Sequence, residues 1–145
     1  MPLLSGTPNG RLRVACSELG SPASEAHVDR GTQIVNINST PEAQRGSSAF
    51  LAALYPSNSG DSNRFDVLDP GASVTRPVTL TARAVTGTPV LKSQIIALPN
   101  GKKVGYMVLN DQTANAGLPL INAVSQFAAA AVDNLVLDMR YNGGG

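Results

Sequence analysis

Eight consecutive residues, Asp138-Met139-Arg140-Tyr141-Asn142-Gly143-Gly144-Gly145, set a carboxylate, a guanidinium and a carboxamide ahead of three glycines, directly behind the apolar run Asn134-Leu135-Val136-Leu137. On a strand, Asp138 and Arg140 stand two apart and so share one side. Two readings of the pair stand together: an ion pair that brackets the strand end, or a brace that keeps the loop from Asn142 onward in shape beside a site. Three glycines let backbone approach a ligand closely, and loops at the ends of rigid strands are where α/β proteins keep their chemistry. A phosphate cradle is the weakest use of this loop. It lacks the spacing and the Lys-Ser/Thr of a phosphate loop, and no helix is predicted behind it.

The other chemistry-bearing side chains do not assemble into a set. His27, the one histidine, falls in a polar turn far in sequence from the glycines; it reads as a solvated turn residue, not as the base of a Ser-His-Asp triad. One histidine and the single Cys16 cannot build a zinc site, and Cys16 alone forms no internal disulfide. Neither a metal nor a cofactor is expected. Of the lysines weighed as a base for a serine, Lys92, Lys102 and Lys103, the last two belong to a predicted hairpin turn, whereas a Ser–Lys pair needs a buried, depressed lysine. With a net charge of +1, no basic stripe and only three Phe, three Tyr and no Trp, the chain is not predicted to bind nucleic acid. No apolar run approaches the length that spans a bilayer, and Met1–Gly6 has neither the basic nor the apolar part of a signal peptide.

The elements that must carry these residues follow from periodicity. Period-two alternation predicts strands over Arg11–Ser17, Thr32–Asn38, Arg64–Leu68 and Val74–Val85. Ser21-Pro22 starts a short helix, with serine as cap and proline in the first turn. A second short helix is expected at Ala49–Tyr55, closed by Pro56. Segment 39–71 is polar and reads as an insertion. Asp69-Pro70-Gly71-Ala72 is a turn, and Pro99-Asn100-Gly101-Lys102 joins strands Ser93–Leu98 and Lys103–Leu109 as a hairpin. A helix over about Leu118–Ala131 presents Leu120, Ile121, Val124, Phe127, Ala128 and Ala131 on one face. The strand Asn134–Met139, nearly all apolar, is expected to be buried on both faces. The expected fold class is α+β: a β-rich domain over residues 1–88, then over 89–145 a βαβ unit of an incomplete α/β core. The glycines thus fall at the carboxyl end of a parallel strand.

At this point the residues carry a resemblance. Lys103-Val104-Gly105-Tyr106-Met107-Val108-Leu109, the helix, and Leu135–Gly145 resemble the opening of the catalytic domain of the C-terminal processing peptidases, or tail-specific serine proteases. The end matches their Asp-Leu-Arg-x-Asn-x-Gly-Gly signature, with Met139 for Leu. Leu12–Asn38 resembles the PDZ domain of such proteases through Gly20-Ser21-Pro22-Ala23 and Arg30–Asn38. It departs from it at His27, Thr32 and Ser39, where Gly, Asp and Gly are usual. The resemblance implies that Gly144 and Gly145 belong to an oxyanion-hole loop, braced by Asp138, Arg140 and Asn142. It also implies that the family's catalytic serine and lysine lie downstream of Gly145, so that this chain alone is inactive. The substrate it implies is an unfolded or C-terminal peptide, which a PDZ-like part adds as a strand; the family implies a bacterial envelope location. Leu3–Gly6 is the candidate carboxylate-binding loop, the peptide-contacting residues and oligomeric state stay open, and a non-catalytic peptide-binding module is the alternative.

Overall fold

The computed structural model describes the backbone of residues 3–5 and all of residues 10–143. The chain divides into two compact units, Met1–Thr86 and Gly87–Gly145.

In the first unit, β1 (Leu3–Ser5), β2 (Arg13–Cys16), β3 (Gln33–Ile37), β5 (Ser62–Leu68) and β6 (Arg76–Thr81) form an antiparallel sheet in the order β1-β2-β3-β5-β6, with the short β4 (Thr40–Pro41) paired to β3. The predicted serine cap is present: Ser24 N–H donates to Ser21 Oγ at 3.2 Å, and Pro22 opens α1 (Pro22–Glu25). α2 (Ser48–Leu54) is capped likewise, its Phe50 N–H donating to Ser47 Oγ at 3.3 Å. Segment 39–71, read from its polarity as an insertion, lies within the sheet order. Five of its apolar side chains, Phe50, Ala53, Leu54, Phe65 and Val67, are buried and meet Ile34 and Ile37 in the main core, while Leu51 and Tyr55 stay exposed. Composition averages over such a segment, whereas burial depends on where its few large side chains fall.

Several polar groups bind this unit across long sequence separations. The buried Glu42 carboxylate accepts from Leu12 N–H and, at 3.0 Å, from the buried Gln33 Nε2. Arg76 at the start of β6 donates to both oxygens of Asp69 (2.5 and 3.2 Å) and to the carbonyls of Ala26 (3.1 Å) and His27 (2.7 Å), so one guanidinium joins the turn before β6 to the end of α1. Asp69 also accepts from Thr32 Oγ1 at 3.1 Å. These bonds, led by the one from Arg76, hold the Asp69 carboxyl below the usual carboxylate range. His27 and Ser39, the positions where the resemblance expects glycine, have φ of 52° and 65°. Asn38 (φ 47°) and Ser39 form the two-residue link between Ile37 and Thr40, a type I′ hairpin turn.

In the second unit, β7 (Val90–Ala97) and β8 (Lys103–Leu109) form the predicted hairpin, with Gly101 at φ 80° and Leu98 N–H bonded to the Lys102 carbonyl at 2.8 Å. α3 (Gly117–Ala129) then crosses to β9 (Asn134–Asp138), which pairs in parallel with β8. The βαβ order is as expected, but two details differ. The face of α3 that is buried runs through Ala123 and Phe127, with Leu120 partly covered, while Ile121 and Val124 are exposed. The apolar residues of α3 cover more than one face, so their spacing alone does not choose which face meets the sheet. Nor is β9 buried on both faces: Leu135, Val136 and Leu137 are 52%, 46% and 45% exposed. Phe127 and Ala123 pack on Met107 of β8, which leaves β9 beyond the helix's cover, and among the described residues β9 pairs with β8 alone.

Candidate functional site

The candidate site stands at the carboxyl end of β9. Strand alternation on β8 turns Gly105, Met107 and Leu109 toward the buried side and leaves Val104, Tyr106 and Val108 on the other. The parallel register sets Val108 opposite Asp138. Tyr106, two residues before Val108, therefore shares a face with Asp138, and its hydroxyl donates to Asp138 Oδ2 at 2.7 Å.

Asp138 is the centre of the arrangement. Arg140 Nε donates to Oδ1 at 2.9 Å and to Oδ2 at 3.1 Å, Arg140 Nη2 to Oδ2 at 2.6 Å, and the Arg140 backbone N–H to Oδ1 at 3.1 Å. The Asp138 side chain is 8% exposed and that of Arg140 66%. The Arg140 side chain first, then the Tyr106 hydroxyl and the Arg140 N–H, hold the Asp138 carboxyl far below the ordinary carboxylate range. In return the carboxylate raises Arg140 and, through the hydrogen bond it accepts, the Tyr106 phenol. The pair is thus a fixed ionic fork with no tendency to exchange protons near neutrality. Beyond it, Asn142 N–H closes a turn onto the Met139 carbonyl at 3.0 Å, and Asn142 Nδ2 reaches the Leu109 carbonyl at 3.3 Å. The Arg140 guanidinium lies 5.9 Å from the centre of the Tyr141 ring. A Cβ placed on Gly143 would meet nothing within 4 Å, so the first loop glycine borders open space.

The structure pairs Asp138 with Arg140, which stand two apart as in the sequence reading, and ties Asn142 to Leu109 and Met139; Gly144 and Gly145 lie outside the described residues. Tyr106 was within the motif but carried no expected role. Finding it needs the β8–β9 register, which no local pattern states. The remaining candidates are elsewhere. Lys103 Nζ donates to the Ala130 carbonyl at 2.9 Å, at the carboxyl end of α3, Lys102 is exposed beside the hairpin turn, and Lys92 belongs to β7. His27 belongs to the first unit, in the turn after α1. Of the proposed carboxylate loop, Leu3–Ser5 is strand β1 and Gly6 lies outside the described residues. Among the described residues no cluster of three or more His, Cys, Asp or Glu is placed to hold a metal, and no helix is long and apolar enough to cross a membrane.

Comparison with known proteins identifies relatives of one kind. The chain is 32% identical over 126 residues to the carboxyl-terminal-processing protease of Picosynechococcus sp., covering 87% of this chain and 30% of that protein. It is 30% identical over 135 residues to the carboxyl-terminal-processing protease of Synechocystis sp., covering 93% of this chain and 31% of that protein. Against the chloroplastic C-terminal processing peptidase of Tetradesmus obliquus it is 34% identical over 136 residues, covering 87% and 29%. Among solved structures, a photosystem II D1 C-terminal processing protease superposes with a TM-score of 0.69 at 26% identity, covering 99% of this chain and 40% of that one. The chain thus spans about 30% of the length of the curated relatives it matches. No protein-family model matches it.

Proposed function

Because this chain belongs with the carboxyl-terminal-processing proteases, we propose that it supplies the substrate-tail-binding part and the oxyanion loop of a serine endopeptidase that processes protein C-termini. The observation that carries the reading is the fork of Asp138 with Arg140 and Tyr106, together with the Asn142–Leu109 bond. These fix the start of a glycine loop at the carboxyl end of a parallel strand. Backbone N–H groups at Gly144 and Gly145 would stabilise the charge that develops on the scissile carbonyl, a contribution of about 3–4 kcal/mol for one donor. The serine nucleophile and its lysine base would come from outside this chain, which by itself is inactive. The exposed apolar residues of β9, with Leu118, Ile121 and Val124 of α3, support that division: a face of this kind is ordinarily covered.

The test is cleavage of an unfolded protein by the purified chain, by the remaining portion of the Synechocystis relative, and by the two mixed. Cleavage only on mixing is expected; no cleavage in any arm would overturn the peptidase reading.

A second reading has its own observation. Residues Met1–Thr86 form a unit with its own core, whose sheet has β1 and β6 at its edges among the described strands. An edge strand can accept an added peptide strand. In this reading the chain is a PDZ-like module that binds C-terminal peptides without cutting them. Titration with a free-carboxylate peptide and its amidated twin separates the cases. Binding that requires the free carboxylate supports a tail-binding unit in either reading, and no binding at millimolar peptide refutes the module.

A further inference from the structure

We propose that Tyr106 is a positioning residue for the glycine loop, its hydroxyl tying the Asp138 carboxylate, and with it Arg140, to strand β8. The loop's chemical role rests on the reading above; the tie itself is a property of this chain.

The bonds to Asp138 originate on two segments. Four of the five come from Arg140, two residues away on the same segment. Arg140 is largely exposed, so it moves with the loop and cannot anchor Asp138 to the sheet. Tyr106 belongs to β8, 32 residues away in sequence. β8 is held between β7 and β9 and packed by Phe127 on its other face. A phenol has two rotatable side-chain bonds and a rigid ring, so a hydroxyl seated on that strand is a fixed reference point. The Asp138 carboxylate then presents its other lone pairs to the backbone N–H of Arg140, which orients the peptide leading into Tyr141-Asn142-Gly143. A second bond from this loop to β8 runs from Asn142 Nδ2 to the Leu109 carbonyl, at 3.3 Å. Two ties on one strand, at its fourth and last residues, set both position and tilt of the segment leading to Gly143.

Y106F removes one oxygen and keeps the ring. Amide hydrogen exchange read by NMR is expected to quicken about fivefold at Arg140 and Asn142, the effect of one lost hydrogen bond, while the amides of Leu98 and Gly101 at the far hairpin are unchanged. A merely structural role would move both sets together. The second variant is D138N: the Tyr106 ring resonances should then titrate at lower pH than in the unaltered chain, because the carboxylate that raises the phenol is gone. Y106F in the D138N background should add little. Unchanged exchange at Arg140 and Asn142 in Y106F, or a Tyr106 titration indifferent to D138N, overturns the proposal. If Y106F loses protection along all of β8, the titration decides alone. None of these readouts uses activity, so failure here leaves the mixing experiment standing, and the reverse also holds.

Discussion

Gly105 sits on β8 under the ring of Phe127, and an added methyl should be felt there. A Cβ built on Gly105 falls 2.9 Å from both Cδ2 and Cγ of Phe127 and 3.1 Å from Cδ1. Carbon atoms rest about 3.5–4.0 Å apart, so in Gly105→Ala the ring must withdraw by roughly 0.5–1 Å. Phe127 is 4% exposed and shares its cluster with Met107 and Ala123, so it has no free space to enter. Overpacking of this size costs about 1–3 kcal/mol. Against it stands roughly 0.5–1 kcal/mol that alanine regains over glycine in a strand. The expected net loss is about 1–2 kcal/mol, confined to the second unit. For a unit of this size that lowers its thermal midpoint by about 4–8 °C per kcal/mol. Circular dichroism gives the midpoint, and hydrogen exchange at Met107 assigns it to this unit. The double variant with Phe127→Leu, whose smaller side chain leaves room for the methyl, should be more stable than the sum of the two single changes predicts, by about 1 kcal/mol. An alanine variant as stable as the unaltered chain, with additive behaviour in the cycle, would refute the packing argument.

Two substitutions to glycine should stabilise. Ser39 occupies the second position of a type I′ turn at φ 65°, and Ala131 follows α3 at φ 50°. There Ala131 N–H bonds to the Ala128 carbonyl (3.0 Å) and Val132 N–H to that of Phe127 (3.2 Å), the pairing of a helix end closed by a left-handed residue. Ser39→Gly and Ala131→Gly should each raise stability by about 0.5–1 kcal/mol in urea titrations, since an L side chain in this region costs about 1–2 kcal/mol and glycine's extra unfolded freedom returns part of it. Asp69 titrates below the usual range in the folded chain, so its contribution is present above the unfolded carboxyl value of about 3.9 and is lost as pH falls below it. Asp69→Asn should flatten the acid limb of the first unit's stability–pH curve; an unchanged limb contradicts the assignment. Tyr106 runs oppositely: its folded value is raised, so its contribution is complete below about pH 10 and fades as pH climbs through the folded value. Tyr106→Phe should remove that alkaline loss from the second unit, read by circular dichroism between neutral and high pH.

Much of the local structure was legible because its causes are local. Ser21 and Pro22 start a helix by offering an acceptor and a preset φ to the first turn, and Asn100-Gly101 bends the chain wherever it occurs. The pairing of Asp138 with Arg140 was also readable, since the two stand two apart on one short segment. What the sequence left undetermined depends on contacts between distant segments. The polarity of segment 39–71 does not tell that Phe50 and Phe65 meet Ile34 and Ile37 in the core. The buried face of α3 was chosen by the absence of a Cβ at Gly105, which admits Phe127 and so rotates Ile121 and Val124 outward. The β8–β9 register decided the rest. It is set by pairing between segments some thirty residues apart, and it puts a tyrosine hydroxyl on an aspartate, a contact that no spacing along either strand could announce.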